Sequence, residues 1–214
     1  MVDFDCKEGQ KKYDDWSLKQ DLRSIINART IYPVEAKLIQ EASPNKVLDI
    51  GCGNGNRLFS HLQNLNIKFI GLEKFERLIH GSRFPNDILI KDLLQLDPAN
   101  LPSDFEGVDL ITILGGSLLG IFCFENQVKA WKLIYNILPK NGNIIFDALI
   151  IDGFEDSDEI GSRIIVPEFT PPQYFLSKKQ LIEIWKELGL AIIKTEDIKI
   201  PSPFGLRFYL LQKI

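Results

Sequence analysis

The sequence predicts a doubly wound α/β fold built on a mostly parallel sheet. Two observations carry that expectation. Beyond Pro44, short continuous apolar runs alternate with amphipathic stretches of helical period, as expected of strands buried on both faces and the helices that cover them. The first run also ends in glycines at alternate positions, Gly51, Gly53 and Gly55, just before a helical stretch. In such sheets ligands sit outside the carboxyl ends of the strands, near the point where strand order reverses.

Composition sets the outer bounds. At 214 residues the chain is sized for one domain, or one domain with a small extension. Hydrophobic residues at 45% and charged residues at 25% exclude a disordered or collagen-like chain. A net charge of −4 makes a nucleic-acid partner unexpected, because phosphate backbones call for a basic face. The start, Met1-Val2-Asp3-Phe4-Asp5, is acidic where a leader peptide is basic and then apolar. The apolar stretch Ile111 to Phe124 is too short to span a bilayer and is broken by Gly115, Gly116 and Gly120. Cys6, Cys52 and Cys123 form no CxxC and have no histidine spaced to share a metal. A soluble protein of a reducing cytoplasm, without metal or membrane, is the expectation.

Taken in order, residues 1–20 are polar around Tyr13 and Trp16 and read as a frayed end followed by a short helix. Leu18, Leu22, Ile25 and Ile26, then Val34, Leu38 and Ile39, have helical spacing interrupted at Pro33, so two helices are expected. Residues 1–43 are therefore assigned to a helical extension and 44–214 to the main domain. Strands are expected at Lys46–Ile50, Lys68–Leu72, Ile88–Ile90, Val108–Leu114, Asn143–Leu149, Ala191–Thr195 and Arg207–Gln212. Leu58, Leu62 and Leu65 mark one intervening helix. Val128, Trp131, Ile134 and Leu138 mark a second, and Leu181, Ile184, Trp185 and Leu188 a third. The long segment 149–176 has no clear period, and such segments in compact domains are usually functional or disordered.

The glycine loop carries the chemistry. Val47-Leu48-Asp49-Ile50-Gly51-Cys52-Gly53-Asn54-Gly55-Asn56 lets the backbone turn tightly and approach a ligand. The following helix points free N–H groups into the same crevice. The spacing is GxGxG, not the dinucleotide GxGxxG, whose sixth position here is Asn56. This stretch resembles motif I of the class I S-adenosylmethionine-dependent methyltransferases. Later landmarks follow in the family's order. Glu73 ends the second strand, where a carboxylate can accept both hydroxyls of a ribose. Lys91-Asp92-Leu93-Leu94 resembles the element whose Asp accepts the adenine amine, and Val108–Ser117 is similar to motif IV. Leu138–Phe146 resembles the element leading into the fifth strand.

The resemblance implies a Rossmann-like methyltransferase fold of seven strands, mostly parallel, with the last strand inserted antiparallel. It also implies S-adenosyl-L-methionine as cofactor. The residues expected to contact it are Asp49, Gly51, Cys52, Gly53, Gly55, Glu73, Lys74, Asp92, Leu93, Leu94 and Gly115, with Arg29 holding its carboxylate. In relatives, segments like the N-terminal helices close over the cofactor.

The acceptor is less determined, because methyl transfer by in-line displacement demands no fixed residue. No (D/N)PP(Y/F) signature, Pro-Cys nucleophile or paired-glutamate loop follows the fourth strand. Gly115-Gly116-Ser117-Leu118-Leu119-Gly120 is instead similar to the stretch found in small-molecule enzymes, with Gly116 where Asn is common. The expected acceptor is a small molecule with an oxygen or nitrogen nucleophile. Tyr13, Trp16, Gly116, Ser117, Asp147 and Tyr174 are expected to contact it, and Asp147 to orient it or accept a proton. Two alternatives stay open: a regulatory module that binds the cofactor or S-adenosylhomocysteine without catalysis, and a catalytic subunit that reaches a macromolecule through a partner.

Overall fold

Among the described residues, two helices precede the first strand, after which strand and helix alternate. The computed structural model describes residues 6–19, 31–115, 117–121, 123–151, 163–164, 173–174, 176–199 and 204–214. Helix α1 runs Cys6–Lys19 and α2 runs Pro33–Ala42. Pro33 opens α2 because its fixed φ suits the first helical position, where a missing N–H costs nothing. The Tyr32 N–H donates to the Glu35 carboxylate at 2.7 Å, and Ser43, with φ of 47°, closes the helix. Most of the helix expected before Pro33 falls outside the described residues.

The remaining elements are β1 (Lys46–Ile50), α3 (Asn56–Asn64), β2 (Lys68–Glu73), β3 (Ile88–Ile90), β4 (Leu110–Ile113), α4 (Phe124–Ile137) and β5 (Asn143–Ile151). After these come β6 (Arg163–Ile164), β7 (Gln173–Tyr174), α5 (Lys178–Leu188), β8 (Leu190–Lys199) and β9 (Phe204–Lys213). A seven-stranded sheet has the order β3-β2-β1-β4-β5-β9-β8. Strands β1 to β5 run parallel, while β9 lies antiparallel between β5 and β8. This is the doubly wound α/β sheet the sequence predicts, with its reversed last strand. Within the segment 149–176, β6 and β7 pair with each other, Arg163 opposite Tyr174. No helix among the described residues is long and apolar enough to cross a membrane.

Side-chain alternation sends successive residues of each strand to opposite faces. Leu48, Ile111, Ile144 and Phe146 join the α4–α5 core, whereas Val47, Leu110 and Ile145 join the core under α2 and α3. Leu38 and Ile39 of α2 are fully buried in that second core. The carboxylate of Asp109 accepts hydrogen bonds from the Asn45 and Lys46 N–H groups at 2.9 and 3.0 Å, which fixes the entry into β1 beside β4. Helix α5 is bounded on both sides. Ser177 and Gln180 exchange hydrogen bonds at its start, and Gly189 with φ of 75° ends it.

Strand order reverses between β1 and β4, so the crevice falls above their carboxyl ends. On the α4–α5 face, Trp131 packs edge-on against Phe146 and Trp185 at centroid distances of 5.3 and 5.5 Å, and Trp185 meets Tyr209 at 5.0 Å. Trp131 is fully buried. Trp131→Ala is expected to lower unfolding free energy by about 3–5 kcal/mol in urea titration, through lost packing and the cavity left behind. A loss below about 1 kcal/mol would mean that this cluster does not organise the core.

Candidate functional site

The turn after β1 is held by backbone bonds. The Gly51 N–H donates to the Leu72 carbonyl at 2.8 Å, and Gly55 N–H to the Cys52 carbonyl at 3.0 Å. Gly51 has φ of 68°, and a Cβ there would stand 2.6 Å from the Cβ of Ser117. Only glycine lets the two segments approach this closely. At Gly53 the reason differs. Its φ is 56°, and a Cβ would point into open space, so the bare backbone itself forms the floor of a cavity.

Glu73 ends β2 and is 5% exposed. Its carboxylate accepts the Gly53 N–H at 2.9 Å through one oxygen and the Phe75 N–H at 3.1 Å through the other. Burial pushes its carboxyl above the ordinary range, opposed by those hydrogen bonds and by Lys74. A carboxylate has about four acceptor positions, and with the Lys74 backbone as a third donor Glu73 keeps acceptor capacity for a ligand hydroxyl. Asp92 holds the next turn: its Oδ1 accepts from the Leu94 N–H at 2.9 Å, while Oδ2 lies 3.5 Å from Lys74 Nζ. Lys74 also reaches both oxygens of Asp14 on α1 at 2.9 Å. The two helix positions Gln10 and Asp14, one turn apart, are hydrogen-bonded to each other at 2.9 Å.

These groups surround a cavity of about 320 Å³. The glycine loop contributes Gly51 and Gly53, and the ends of β2 and β3 contribute Glu73, Lys74, Lys91 and Asp92. Leu93, Leu94, Leu118 and Ile121 form an apolar wall, and Gln10, Tyr13 and Asp14 of α1 lie across it. Polar groups at fixed points in a mainly apolar pocket are the usual make-up of a small-ligand site. The chemistry fits an adenosine: an acceptor pair for a diol, apolar walls for a flat base, and a bare backbone between them.

A second polar group lies beneath the crevice, on the α2–α3 side of the sheet. Thr112 donates to Asp49 at 2.7 Å, and the Gly115 N–H donates to Asp147 Oδ2 at 2.8 Å. Glu35, fully buried, meets Arg57 at 3.0 Å. Burial raises the Glu35 carboxyl above its ordinary range, with Arg57 acting against it. Asp49 is pushed up to about 7, first by burial, against the Thr112 hydrogen bond and the charge of Arg57. The Cys52 thiol is raised by burial and by the carboxylates of Asp49 and Glu73, which makes it a poor nucleophile.

The structure thus gathers Tyr13, Gly51, Gly53, Glu73, Lys74 and Asp92 around one cavity, together with Leu93, Leu94, Gly115 and Ser117. Asp49, Cys52, Gly55, Trp16, Asp147 and Tyr174 do not line it. Asp147 shares the strand face of Ile145, and its carboxylate is directed at the Gly115 turn rather than into the cavity. Arg29 and Gly116 lie outside the described residues. Sequence reasoning missed the Asp14–Lys74 pair, the Glu35–Arg57 pair and a disulfide joining Cys6 to Cys123. Only Gln10 and Asp14, at helical spacing, left a local signal.

The strand order and the placement of the crevice are those of the S-adenosylmethionine-dependent methyltransferase fold. A methyltransferase from Clostridium acetobutylicum superposes with a TM-score of 0.63 at 16% identity, covering 94% of this chain and 98% of its own. The 1,6-didemethyltoxoflavin-N1-methyltransferase of Burkholderia thailandensis, solved with 1,6-didemethyltoxoflavin and S-adenosylhomocysteine, gives 0.63 at 15% identity, covering 95% and 84%. The cyclase SpnF also shares the fold, with a TM-score of 0.61 at 14% identity over 91% of this chain and 84% of its own. In sequence, the chain is similar to the tRNA U34 carboxymethyltransferase of Campylobacter jejuni strain 81-176, 29% identical over 209 residues, 89% of this chain and 65% of the relative. The protein of the same name from Campylobacter hominis is 31% identical over 176 residues, 75% of this chain and 57% of the relative. The chain therefore spans less than two thirds of the length of these relatives. No protein-family profile matches it.

The raised Asp49 carboxyl has a consequence for stability. An unfolded Asp releases its proton near pH 4, whereas Asp49 in the folded chain keeps it to about 7. Across that window the native state binds more protons than the unfolded state, so stability falls as pH rises and levels off above it. Urea titrations at about pH 5 and about pH 7.5 are expected to show a fall on the order of a few kcal/mol, much of it absent in Asp49→Asn. An unchanged pH slope in the variant would show that Asp49 ionises normally.

Proposed function

We propose that this chain is an S-adenosylmethionine-dependent methyltransferase acting on an oxygen or nitrogen of a small-molecule acceptor. One observation carries the cofactor reading: the buried Glu73 carboxylate, held by Gly53 and Phe75, faces a cavity with acceptor capacity to spare. When bound, the cofactor supplies a methyl group already activated on a sulfonium. The chain's own work is alignment and exclusion of water, which can supply much of the rate. Glu73 accepts the ribose hydroxyls. Leu93 and Leu94 flank the base, and Asp92, already bonded to Leu94 and close to Lys74, offers its remaining lone pairs to the exocyclic amine. Asp147 acts from behind the wall: by holding the Gly115 N–H it positions the Gly115–Ser117 turn against which the acceptor lies. A cytoplasmic location accords with this reading.

The similarity to tRNA-modifying proteins favours a second reading, in which the acceptor is an RNA nucleotide and the donated group is carboxymethyl. The net charge of −4 weighs against it, since RNA affinity would have to come from a few local cations or a basic partner. The third possibility, a module that binds cofactor without turnover, shares the cavity and differs only in the outcome of an assay.

Calorimetric titration with S-adenosylmethionine and S-adenosylhomocysteine, with NAD as control, tests the proposal. Micromolar binding of the adenosyl compounds is expected, weakened about tenfold or more in Glu73→Ala by loss of charge-assisted hydrogen bonds worth about 1.5–3 kcal/mol. Equal affinity in the variant, or preference for NAD, would overturn the cofactor reading. Methyl release onto a panel of small amines and hydroxyl compounds, beside bulk tRNA, then separates the acceptors. Transfer to tRNA alone would replace the small-molecule assignment.

A further inference from the structure

Among the contacts that tie helix α1 to residues around the cavity, two stand out. At one end Asp14 pairs with Lys74, which follows Glu73 and lies close to Asp92. At the other end Cys6 is joined to Cys123, with Cα atoms 5.7 Å apart, inside the range a disulfide spans. Between the two attachments, Gln10, Tyr13 and Asp14 form part of the cavity lining. The helix is a strap across the crevice.

The two cysteines are unequal in their settings. Cys123 is buried and immobilised. Its carbonyl accepts the Gln127 N–H at 3.0 Å, and the buried Gln127 side chain donates to the Leu118 and Ile121 carbonyls at 2.6 and 2.9 Å. That ties Cys123 to the cavity wall itself, since Leu118, Ile121 and Asn126 all line it. Cys6 is exposed in the first turn of the helix, and the Asp14–Lys74 ion pair further along it is about one third exposed on each side. Partly exposed ion pairs hold weakly. The bond to Cys123 is therefore the strong attachment, and Cys6 is the end a solvent thiol can reach. The third cysteine, Cys52, is packed against Gly71 and its thiol is raised by burial, so it is a poor competitor in exchange.

We propose that Cys6–Cys123 is a reversible redox latch that controls whether α1 can leave the cavity, and hence the exchange of what binds there. The functional part rests on the cofactor reading above. Oxidation forms one Sγ–Sγ bond, releases two protons and passes two electrons to a disulfide oxidant such as oxidised glutathione, which becomes two thiols. A dithiol reductant reverses this by exchange through a mixed disulfide at exposed Cys6. With the latch closed, α1 is covalently fixed and a bound ligand is trapped. With it open, α1 is held by non-covalent contacts alone, Asp14–Lys74 among them, and local opening becomes more frequent.

The full-length protein is compared after treatment with dithiothreitol and after oxidised glutathione. Alkylation in denaturant followed by intact mass is expected to find three free thiols in the first state and one, Cys52, in the second. Amide hydrogen exchange over residues 6–19 is expected to slow about tenfold on oxidation, and this readout needs no ligand. Release of pre-bound S-adenosylhomocysteine is expected to slow by a similar factor of about ten. Cys6→Ser is expected to behave as the reduced protein under both conditions. Cys6 and Cys123 remaining alkylatable after oxidation, or α1 exchanging equally in both states, would overturn the latch. Equal ligand release despite slowed α1 exchange would overturn its gating role. Slowed α1 exchange with no S-adenosylhomocysteine binding in either state would leave the latch standing and sink the cofactor reading.

Discussion

The hydrogen bonds from Gly53 and Phe75 to the Glu73 carboxylate tie the ends of two neighbouring strands into one surface. Within the glycine loop after β1 the buried Asn54 side chain accepts the Asn56 N–H at 3.1 Å, but the loop's position against the sheet depends on what β2 offers it. Glu73 and the Leu72 carbonyl, which receives the Gly51 N–H, provide that support from adjacent residues of one strand. A carboxylate is required because it can bind two backbone donors and still accept more. The same group thus shapes the site and retains the capacity to recognise a ligand there.

Charge around the crevice is distributed in two layers. Above the strand ends, Lys74 sits among Glu73, Asp14 and Asp92 and keeps the rim compact. Below them, Asp49, Asp147 and Glu35 lie on one face of the sheet with Arg57 as the nearby guanidinium. Burial outweighs the opposing charge of Arg57 at both Asp49 and Glu35. Carboxyl groups perturbed by burial are concentrated at functional sites. Here Asp147 supports the Gly115 turn from beneath.

Sequence pattern made the local parts legible. Continuous apolar runs marked the strands because parallel strands are buried on both faces, and the alternate glycines marked the turn because only that spacing keeps the backbone bare. Glu73 and Asp92 were found because each stands at a strand end, a place the fold fixes. Long-range pairs were not legible. Asp14 and Lys74 are 60 positions apart, and Cys6 and Cys123 are 117 apart. Nothing in either neighbourhood points to the other. Asp147 illustrates a third kind of difference. Its place at the end of β5 was readable, but the face it occupies depends on a register set by β4 and β9, and that register turned it toward Gly115.

Fold and the proposed cofactor site are therefore tied to local sequence, while the proposed latch depends on contacts across the chain. The claim on which the rest stands is that the crevice over β1 and β2 holds an adenosyl group. A crystal structure of the protein with S-adenosylhomocysteine tests it most directly. The account predicts ribose hydroxyls within hydrogen-bond distance of Glu73, the base against Leu93 and Leu94, and the chain of the ligand passing over Gly53. A ligand ordered elsewhere on the molecule, with Glu73 untouched, would contradict it.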